Sequence, residues 1–577
     1  MTPSALAPVA RPRARWLLPA APDPVAVQAL QDELVLPEPI CRLLAARGYA
    51  PVEQAKRFLR PRLDHLLPPG QLLDLDRAAE RIVRAVRDGE TILVHGDYDV
   101  DGMSSTALMT RALRALGGHV VPFIPQRLTD GYDLGEAGVR AARAARATVV
   151  LTCDCGTSAV VPVATLQAEG VDVIISDHHL PGGELPGAYA VLNPRRPGCG
   201  SLDKDLAAVG VAFKLALAVT RRMEANENVV YGMMDLVALA TIADIAPLRG
   251  ENRVFARYGL RMLAETKNVG LRALIRSAGL DGKPLTAGRV GYILAPRLNA
   301  VGRLGNALRG VELLTSTDEH HANSIARELE ELNARRQEID RAVLDDARRR
   351  VHELDLDETF GIVLAADGWH PGVIGIVASR IVEEFGRPTI LVGLEGDEGK
   401  GSGRSISRFD LHAGIGRCRH LLKRFGGHRS AAGVTIARDR VDEFARSFNE
   451  AARSELSHDD LVPELRVDME VSLAEITPAF EALLRHLEPC GMGNPSPMLV
   501  TRGVRLAAPP RAVGQGGLKL RLDMPAGDPL EAIGWSLGGR IGELQMSQSF
   551  AIAYRLERDE YQGVSRLQAK LADFRVE

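Results

Sequence analysis

Residues 72–315 alternate between short apolar runs and amphipathic stretches of helical length. Strand-like runs separated by helical patterns of about 10–15 residues are typical of βαβ units, whose right-handed crossovers place the strands in parallel. The predicted strands are Ile92–His95, His119–Phe123, Thr148–Thr152 and Val171–Ser176. The pattern predicts an open parallel α/β sheet, and such sheets bind ligands at the carboxyl ends of their strands.

Three of these predicted strands end in residue types that bind metal ions. The first runs into Gly96–Gly102, the third into Asp154, and the fourth into Asp177-His178-His179. Because parallel strands end at one edge of a sheet, at least four carboxylates and two imidazoles are expected to converge there. Like charges in a dry pocket are strongly unfavourable, so divalent cations are the expected counter-charge.

The acidic loop after the first strand offers up to three ligands. Asp97, Asp99 and Asp101 alternate along an extended segment and can face one cavity, and Gly102 allows a tight turn into the next helix. A calcium-binding loop is the alternative, but it requires a glutamate six residues after the glycine and two flanking helices. That position holds Leu108, and a predicted strand precedes the loop. The pattern favours a metal site at a strand end.

The other candidates lie at the ends of predicted elements. An aspartate such as Asp154 or Asp244, after a strand or an apolar helix, is either a helix cap or a metal ligand. The adjacent His178 and His179 are expected to point apart, so that one binds metal while the other reaches a substrate phosphate.

The types of ligand limit which metal ion is bound and which reaction it supports. Aspartate and histidine without thiolate favour Mn²⁺ or Mg²⁺ over structural zinc, and none of the six cysteines has a zinc-ligand spacing. Two ions about 3.5–4 Å apart, joined by a carboxylate, acidify a water for in-line displacement. The constellation predicts a two-metal hydrolase of phosphodiesters or phosphoanhydrides.

The 577 residues suffice for three or four domains of typical size. The patterns divide the chain into a helical segment at 1–71, an α/β domain at 72–319, a linker helix at 320–355, a second α/β domain at 356–456 and a β-rich domain at 460–577. For the charged linker helix a solvated spacer is the favoured interpretation. Short alternating runs near the C-terminus favour a barrel of the oligonucleotide-binding type.

Charge and hydropathy limit the possible partners. The net charge is −3, so any contact with nucleic acid must come from local basic clusters. No stretch of about 18 uninterrupted apolar residues is present, and the scattered cysteines are typical of a reducing compartment. We therefore expect a cytoplasmic protein without membrane contact.

The densest basic cluster lies between Arg404 and Arg429. Glycines at 401, 403, 426 and 427 allow backbone amides to approach a phosphate closely. For the basic run at 417–424, a solvated helix face is an equally good interpretation. The better candidates for phosphate contacts are the residues flanked by glycine, which are Arg303, Arg404, Ser405, Gly427 and His428.

Aromatic residues make up only 4% of the chain, so base-stacking sites must be few. Tyr98, Trp369 and Trp535 are the candidates, although such residues belong to a core more often than to a stacking platform.

The motifs resemble those of the DHH phosphoesterase superfamily. Asp177-His178-His179 is similar to its signature, and Gly96–Gly102 with Asp154-Cys155-Gly156 is similar to its first two motifs. The resemblance to bacterial exonucleases specific for single-stranded DNA extends over nearly the whole chain. Further matching stretches are Pro296–Arg303, Gly368–Gly375, Gly401–Ser405, Gly426–Gly433 and Gly491–Pro495.

The resemblance implies a fold, an activity and partners. The implied fold is a parallel-sheet DHH domain, joined by a long helix to a DHH-associated α/β domain, with a C-terminal oligonucleotide-binding β-barrel. The implied activity is 5′-to-3′ degradation of single-stranded DNA to mononucleotides with Mn²⁺ or Mg²⁺, in recombination and repair. Single-stranded-DNA-binding protein and a helicase are the implied partners, and a monomer is expected.

The superfamily's ligand set can be carried onto matching residues. One implied metal site consists of Asp101, Asp154, His178 and Asp244. The other contains Asp99 and the bridging Asp154, completed by Asp97, with His95 as the alternative because it lies four residues before Asp99. The residues implied to carry the reaction are Asp101, Asp154, His178, His179 and Asp244, and those implied to bind DNA include Asn299 and Arg303.

Two other functions remain open from the sequence. A phosphoesterase for short oligonucleotides or cyclic dinucleotides would need only the two α/β domains, leaving residues after about Pro463 without a role. A catalytically inactive DNA-binding scaffold would be expected to lack an aspartate or histidine of the metal set, and none is missing here.

Overall fold

A computed structural model describes residues 13–127, 129–514, 516–546, 548–561 and 564–577. The start of the predicted N-terminal segment, residues 1–12, lies outside this description. The chain packs as two compact units, one made of residues 56–336 and 487–495 and the other of the remaining described residues. The five predicted domain boundaries stay a prediction.

The N-terminal segment is helical, as predicted, but begins with a strand. Strand β1 (Arg15–Leu17) pairs in parallel with β12 (Glu464–Arg466) of the same unit. The helices that follow are α1 (Pro24–Leu34), α2 (Glu38–Ala46) and α3 (Val52–Leu59).

The predicted parallel sheet is confirmed, with strand order β3-β2-β4-β5-β6. Its strands are β2 (Thr91–Gly96), β3 (His119–Phe123), β4 (Val149–Cys153), β5 (Asp172–Ser176) and β6 (Ala190–Leu192). The helices around it are α4 (Leu75–Arg87), α5 (Val100–Ala115), α6 (Glu136–Ala145), α7 (Val160–Ala168) and α8 (Ala208–Arg222).

The apolar strands are continuous because both faces of the sheet are covered. Ile92 and Val94 pack into one hydrophobic core, whereas Leu93 between them packs into another. Successive side chains of a strand point to opposite faces, so a strand buried on both sides has no polar alternation.

A helical array completes this unit, and within it α10 packs mainly against α11. Its helices are α9 (Asn228–Tyr231), α10 (Met234–Ala243), α11 (Gly250–Ala264), α12 (Val269–Ser277), α13 (Ala287–Arg289), α14 (Ala295–Leu304) and α15 (Leu308–Thr315). Helices α10 and α11 approach closely at Gly259, where a Cβ atom would lie 2.2 Å from the Met234 carbonyl oxygen.

The long helix α16 (Glu319–His352) matches the predicted linker in extent but not in character. At its start Ile325 and Leu329 lie in the core of the first unit, and towards its end Val343 and Ala347 lie in a core of the second. Interpreting the helix as a solvated spacer was wrong, because its narrow apolar stripe is buried at both ends.

The second α/β region has a mixed sheet of order β10-β11-β9-β8-β7, in which only β7 and β8 pair in parallel. Its strands are β7 (Ile362–Asp367), β8 (Thr389–Glu395), β9 (Glu398–Arg404), β10 (Leu422–His428) and β11 (Ala431–Ala437). Its helices are α17 (Ile374–Phe385), α18 (Leu411–Arg417) and α19 (Val441–Glu455).

The C-terminal region is β-rich, as predicted, with strand order β13-β14-β18-β19-β17-β16-β15. The elements after β12 are β13 (Met469–Glu470), α20 (Pro478–Leu484), β14 (Leu499–Val504), β15 (Leu506–Val513), β16 (Gly517–Leu522), β17 (Leu530–Gly534), β18 (Phe550–Tyr561) and β19 (Val564–Val576). Buried Tyr554 donates to or accepts from Thr501 across the sheet at 3.0 Å.

Close contact between α10 and α11 can be tested at Gly259. We expect Gly259→Ala to lower the free energy of unfolding by about 1–3 kcal/mol, because the added methyl group forces the helices apart. Chemical denaturation measures the change. The control is Gly288→Ala, where the nearest atom would be 3.8 Å from the new Cβ. Equal stability of the two variants would contradict this packing.

Candidate metal centre

The backbone brings three strand ends together by extending their hydrogen bonding past the strands. The Asp97 amide donates to the Cys153 carbonyl at 3.3 Å, and the Asp154 amide donates to that of Ser176 at 2.9 Å. The Asp177 amide donates to Leu192 at 2.9 Å. Each aspartate therefore stands directly beyond a strand of the sheet, as the sequence predicted.

The predicted ligands form three overlapping groups among the described residues. In each group one potential ligand atom per residue lies within 4.8 Å of the others. The groups are Asp97, Asp99 and Asp154; Asp101, His178 and Asp244; and Asp154, His178 and His179. His95 is in none of them. All six predicted metal ligands are thus brought together.

Several buried atoms at this point lack hydrogen-bond partners within the described part of the chain. They include Asp97 Oδ1, Asp154 Oδ1 and His178 Nε2, and His95 Nε2 is orphaned as well. His178 Nε2 lies 3.2 Å from Asp154 Oδ1 and 3.8 Å from Asp244 Oδ2 without making a hydrogen bond to either. Oxygen and imidazole nitrogen atoms that share one space without bonding each other fit a hard divalent cation such as Mn²⁺ or Mg²⁺.

Two of the aspartates also cap helices. Asp99 accepts hydrogen bonds from the amides of Asp101 and Gly102 at the start of α5, at 2.9 and 3.1 Å. Asp101 accepts from the amides of Ala208 and Val209 at the start of α8, at 2.8 and 2.9 Å. The alternatives of cap and ligand are therefore compatible, because a cap fixes a carboxylate whose other lone pairs remain available.

Gly102 is required for a reason other than the predicted turn. It lies inside α5, and a Cβ atom there would come within 2.5 Å of the Asp97 backbone. The glycine allows the helix to pack directly against the acidic loop.

Burial and mutual repulsion shift the pKa values of the acids upward. Burial, then the charge of Asp99, raises the pKa of Asp101 to about 7. Burial, then the charges of Asp101 and Asp99, raises the pKa of Asp244 to about 9. The same causes raise the pKa values of Asp97 and Asp154 well above the usual range. Without a counter-charge these acids retain protons, which a bound cation displaces.

The two histidines do not point apart, and that prediction was wrong. Their ring centroids are 4.7 Å apart, and both rings lie within 4 Å of Asp154 Oδ1. Asp177 explains the arrangement, since its Oδ1 lies 2.8 Å from His179 Nδ1 and also accepts the His178 and His179 amides. This carboxylate therefore holds both histidine rings on the same side of the backbone.

The contact between Asp177 and His179 also gives the two imidazoles different pKa values. Burial, then the charge of His179, lowers the pKa of His178 to about 4, so this ring is neutral and able to bind a metal. Burial alone would lower the pKa of His179, but the hydrogen bond and charge of Asp177 raise it to about 9. At neutral pH His179 is therefore a cation beside the acidic cluster.

The sequence analysis missed the loop after β3. The Tyr132 hydroxyl lies 3.2 Å from His179 Nε2, and Asp133 Oδ1 accepts the Gly156 amide at 2.6 Å. The loop also carries Arg127, whose guanidinium lies 4.9 Å from the ring centroid of Tyr98. The rule that loops after parallel strands form the site would have selected it, although it lacks a cluster of ligand residues.

Asn299 and Arg303 lie one turn apart on α14 and therefore share a helix face. Helix α14 is pressed against the acidic loop, since a Cβ atom at Gly302 would lie 2.0 Å from the Tyr98 carbonyl oxygen. These two predicted DNA-binding residues belong to the same unit as the metal centre.

The predicted phosphate contacts of the other unit align across its sheet. Arg404 on β9 and His428 on β10 both pair with Ala431 on β11, so they lie on one face. A Cβ atom at Gly427 would lie 2.4 Å from the Ala431 carbonyl oxygen. Ser405 is fixed by donating to the Phe409 carbonyl at 2.9 Å.

The run at 417–424 is not a helix face. Helix α18 ends at Arg417, and β10 begins at Leu422. Its cations include partners of local carboxylates, since Arg417 pairs with Glu455 and Lys423 lies 2.6 Å from Glu398.

Two of the aromatic candidates differ in burial. Trp369 is core and donates its indole N–H to Asp346 at 3.0 Å, whereas Trp535 is 61% exposed. Among the described residues, no helix is long and apolar enough to cross a membrane.

Three domain families match the chain by sequence. They are the DHH family N-terminal domain at residues 91–241, the DHHA1 domain at 358–454 and the RecJ OB domain at 467–573. Together with the parallel sheet and its acidic edge, these matches define a DHH-type protein with a DHHA1 domain and an OB domain.

Individual relatives show which family of DHH-type proteins the chain belongs to. The chain is 36% identical over 566 residues to the single-stranded-DNA-specific exonuclease RecJ of Dickeya dadantii, covering 94% of this chain and 97% of that one. It is 38% identical over 494 residues to the Bacillus subtilis protein of the same name, covering 85% of this chain but only 62% of that relative. The chain belongs to the RecJ family.

Solved structures agree with this assignment. RecJ of Thermus thermophilus in complex with Mn²⁺ matches with a TM-score of 0.84 and 32% identity, covering 98% of this chain and 80% of that one. The Mg²⁺ complex of the same protein matches with a TM-score of 0.78. Divalent metal cofactors are thus supported for this family and fit the orphaned atoms described above.

The unfavourable burial of Asp154 can be tested by removing its charge. Because its pKa is raised in the fold, ionisation destabilises the metal-free protein at every pH above the unfolded pKa of about 4. We expect Asp154→Asn to raise the thermal midpoint at pH 8 in EDTA by about 2–4 °C. It should also abolish the further rise that Mn²⁺ gives the wild type. Differential scanning fluorimetry measures both.

The matched control is Asp172→Asn, which removes a carboxylate paired with buried Arg81. This variant should lower the midpoint and keep the Mn²⁺ effect. A lower midpoint for Asp154→Asn in EDTA, or an undiminished Mn²⁺ effect, would contradict the proposed environment of Asp154.

Proposed function

We propose that this chain is a two-metal-dependent exonuclease that hydrolyses single-stranded DNA from the 5′ end to mononucleotides. The observation that carries the proposal is the set of three ligand groups, of which two share Asp154 and two share His178. The relatives named as single-stranded-DNA-specific exonucleases support the choice of substrate.

The proposed first metal site consists of Asp101, Asp154, His178 and Asp244, and the proposed second consists of Asp97, Asp99 and Asp154. Asp97 is preferred to His95 because His95 is fully buried, 3.5 Å from Cys155, and outside the ligand groups. When bound, the two cations supply an acidified water and neutralise charge on the phosphate oxygens. The protein's task is to hold these ligands rigidly, as the capping bonds of Asp99 and Asp101 do.

His179 is proposed to contact the scissile phosphate. Its contact with Asp177 keeps the imidazole protonated at neutral pH, so it places a positive charge next to the metal ligands. Tyr132 restricts the orientation of this ring from the other side. Such a charge is most useful where negative charge develops in the transition state.

DNA is proposed to be held at two phosphate-binding areas, one in each unit. Asn299 and Arg303 would bind phosphate near the metal centre. On the mixed sheet of β7 to β11, phosphate would be bound by Arg404, Ser405, Gly427 and His428. There a Cβ atom at Gly375, near the start of α17, would lie 3.2 Å from Arg404 Nη2, so the guanidinium lies against the helix start. Partial positive charge at a helix N-terminus favours an anion.

The cellular setting is proposed from the family. A cytoplasmic role in recombination and DNA repair, with single-stranded-DNA-binding protein and a helicase as partners, follows from the relatives' substrate. Monomeric action is proposed with it.

Digestion of end-labelled DNA tests the activity and its direction. A single strand labelled at its 5′ end should release labelled mononucleotide at once, whereas the 3′-labelled strand should release label only late, with Mn²⁺ and again with Mg²⁺. Asp154→Asn should release none. Release from the 3′ end first would overturn the polarity, and cleavage restricted to dinucleotides would favour a phosphoesterase for short substrates.

The salt dependence of binding tests the role of Arg404. In an Asp154→Asn background, Arg404→Ala should weaken binding of single-stranded DNA and reduce the slope of log affinity against log salt by about 0.7, the loss of one phosphate contact. Fluorescence anisotropy measures it. Arg408→Ala is the control, because Arg408 is paired with Glu464 at 2.9 Å. An unchanged slope for Arg404→Ala would exclude a phosphate contact.

A further inference from the structure

A short segment from the C-terminal part of the chain packs with the compact unit that contains the metal centre. Residues 487–495 fall within the match to the RecJ OB domain at 467–573, yet they pack with residues 56–336 as one compact unit. The segment contains the stretch Gly491–Pro495, for which neither the metal centre nor the DNA-binding residues provide a role.

The segment lies directly against the loop that follows Asp244. The Leu248 amide donates to the Met492 carbonyl at 2.8 Å, and Arg249 Nε donates to the Gly493 carbonyl at 2.8 Å. A Cβ atom at Gly491 would lie 2.8 Å from Leu248 Cδ1. Backbone thus contacts backbone, and a larger residue at Gly491 would separate the two.

Buried polar side chains hold the segment in place. Asn494, only 2% exposed, donates to the carbonyls of Leu487 and Pro489 at 2.8 and 2.9 Å. Arg253, also 2% exposed, donates to the Leu487 carbonyl at 3.0 Å and to that of Phe58 at 2.7 Å. A buried guanidinium and a buried amide therefore fix the segment to the helical array.

The loop it contacts is strained next to Asp244. Ile245 has a φ of 58°, a left-handed conformation that is unfavourable for a residue with a Cβ atom. The residue is 62% exposed, so its burial does not offset the strain. Such conformations persist when the surrounding structure fixes them. The Ile245 and Ala246 amides hold this conformation by donating to the Ile242 and Thr241 carbonyls at 3.2 Å each, and the contacts at Leu248 and Arg249 fix the residues that follow.

We propose that residues 487–495 are a positioning element for the metal centre. By fixing Pro247–Arg249, the segment determines how the chain leaves α10 and hence where the Asp244 carboxylate points. The affinity for metal would then depend on a segment that is distant in sequence, since Gly493 follows its partner Arg249 by 244 residues. The inference rests on the proposed role of Asp244 as a ligand.

Binding of Mn²⁺ to Asn494→Ala tests the inference without relying on activity. Electron paramagnetic resonance of free Mn²⁺ should show affinity weakened about tenfold, the usual effect of losing support behind a metal ligand. At saturating Mn²⁺ the kcat on single-stranded DNA should return to within about twofold of the wild type. Loss of a merely structural contact would not produce this pattern.

The matched control is Asn268→Ala. Asn268 is another buried asparagine of the same unit, and it caps α12 by accepting the Leu271 amide at 3.1 Å. This variant should lower the thermal midpoint and keep the Mn²⁺ affinity. Should Asn494→Ala not fold, Arg249→Ala removes only the side-chain bond to Gly493 from an exposed position and should still weaken Mn²⁺ binding.

The variant Asp244→Asn distinguishes the proposed ligand role of Asp244 from the proposed positioning role of residues 487–495. If it weakens Mn²⁺ binding while Asn494→Ala and Arg249→Ala bind as the wild type does, the positioning role is overturned and the proposed function stands. If Asp244→Asn binds Mn²⁺ normally, the ligand assignment fails and the positioning role fails with it. Weakened binding in all three variants supports the inference.

Discussion

The close approach of buried carboxylates at one edge of a parallel sheet is the constraint on which the rest of the site depends. Asp97, Asp101 and Asp154 are almost fully buried, and Asp99 and Asp244 adjoin them. Helix starts stabilise part of this charge, through the amides that bind Asp99 and Asp101. The orphaned oxygens that remain require cations, and this requirement links the fold to metal-dependent hydrolysis.

Much of the site could be predicted because its residues follow strands. The ends of β2, β4 and β5 carry residue types that bind metal ions, and chain direction alone places them at one edge. The loop containing Tyr132 also follows a strand, β3, but its residues are not typical ligands. The orientation of His178 and His179 depends on Asp177 binding both backbone amides, a local fold that adjacency in sequence does not reveal.

Contacts between distant parts of the chain were the least predictable. The apolar stripe of α16 indicated a helix but not that each end is buried in a different core. The packing of residues 487–495 against Pro247–Arg249 leaves no periodic pattern, because it depends on backbone carbonyls and on the small size of Gly491. The proposed positioning role gives residues that fall within the OB-domain match a part in the metal centre.

The most direct test of the central claim is the number and coupling of bound cations. Titration of the metal-free protein with Mn²⁺, followed by low-temperature electron paramagnetic resonance, should give two ions per chain with an exchange-coupled spectrum, because both proposed metal sites include Asp154. In Asp154→Asn the coupling should disappear. A single ion, or two uncoupled ions in the wild type, would contradict the two-metal centre.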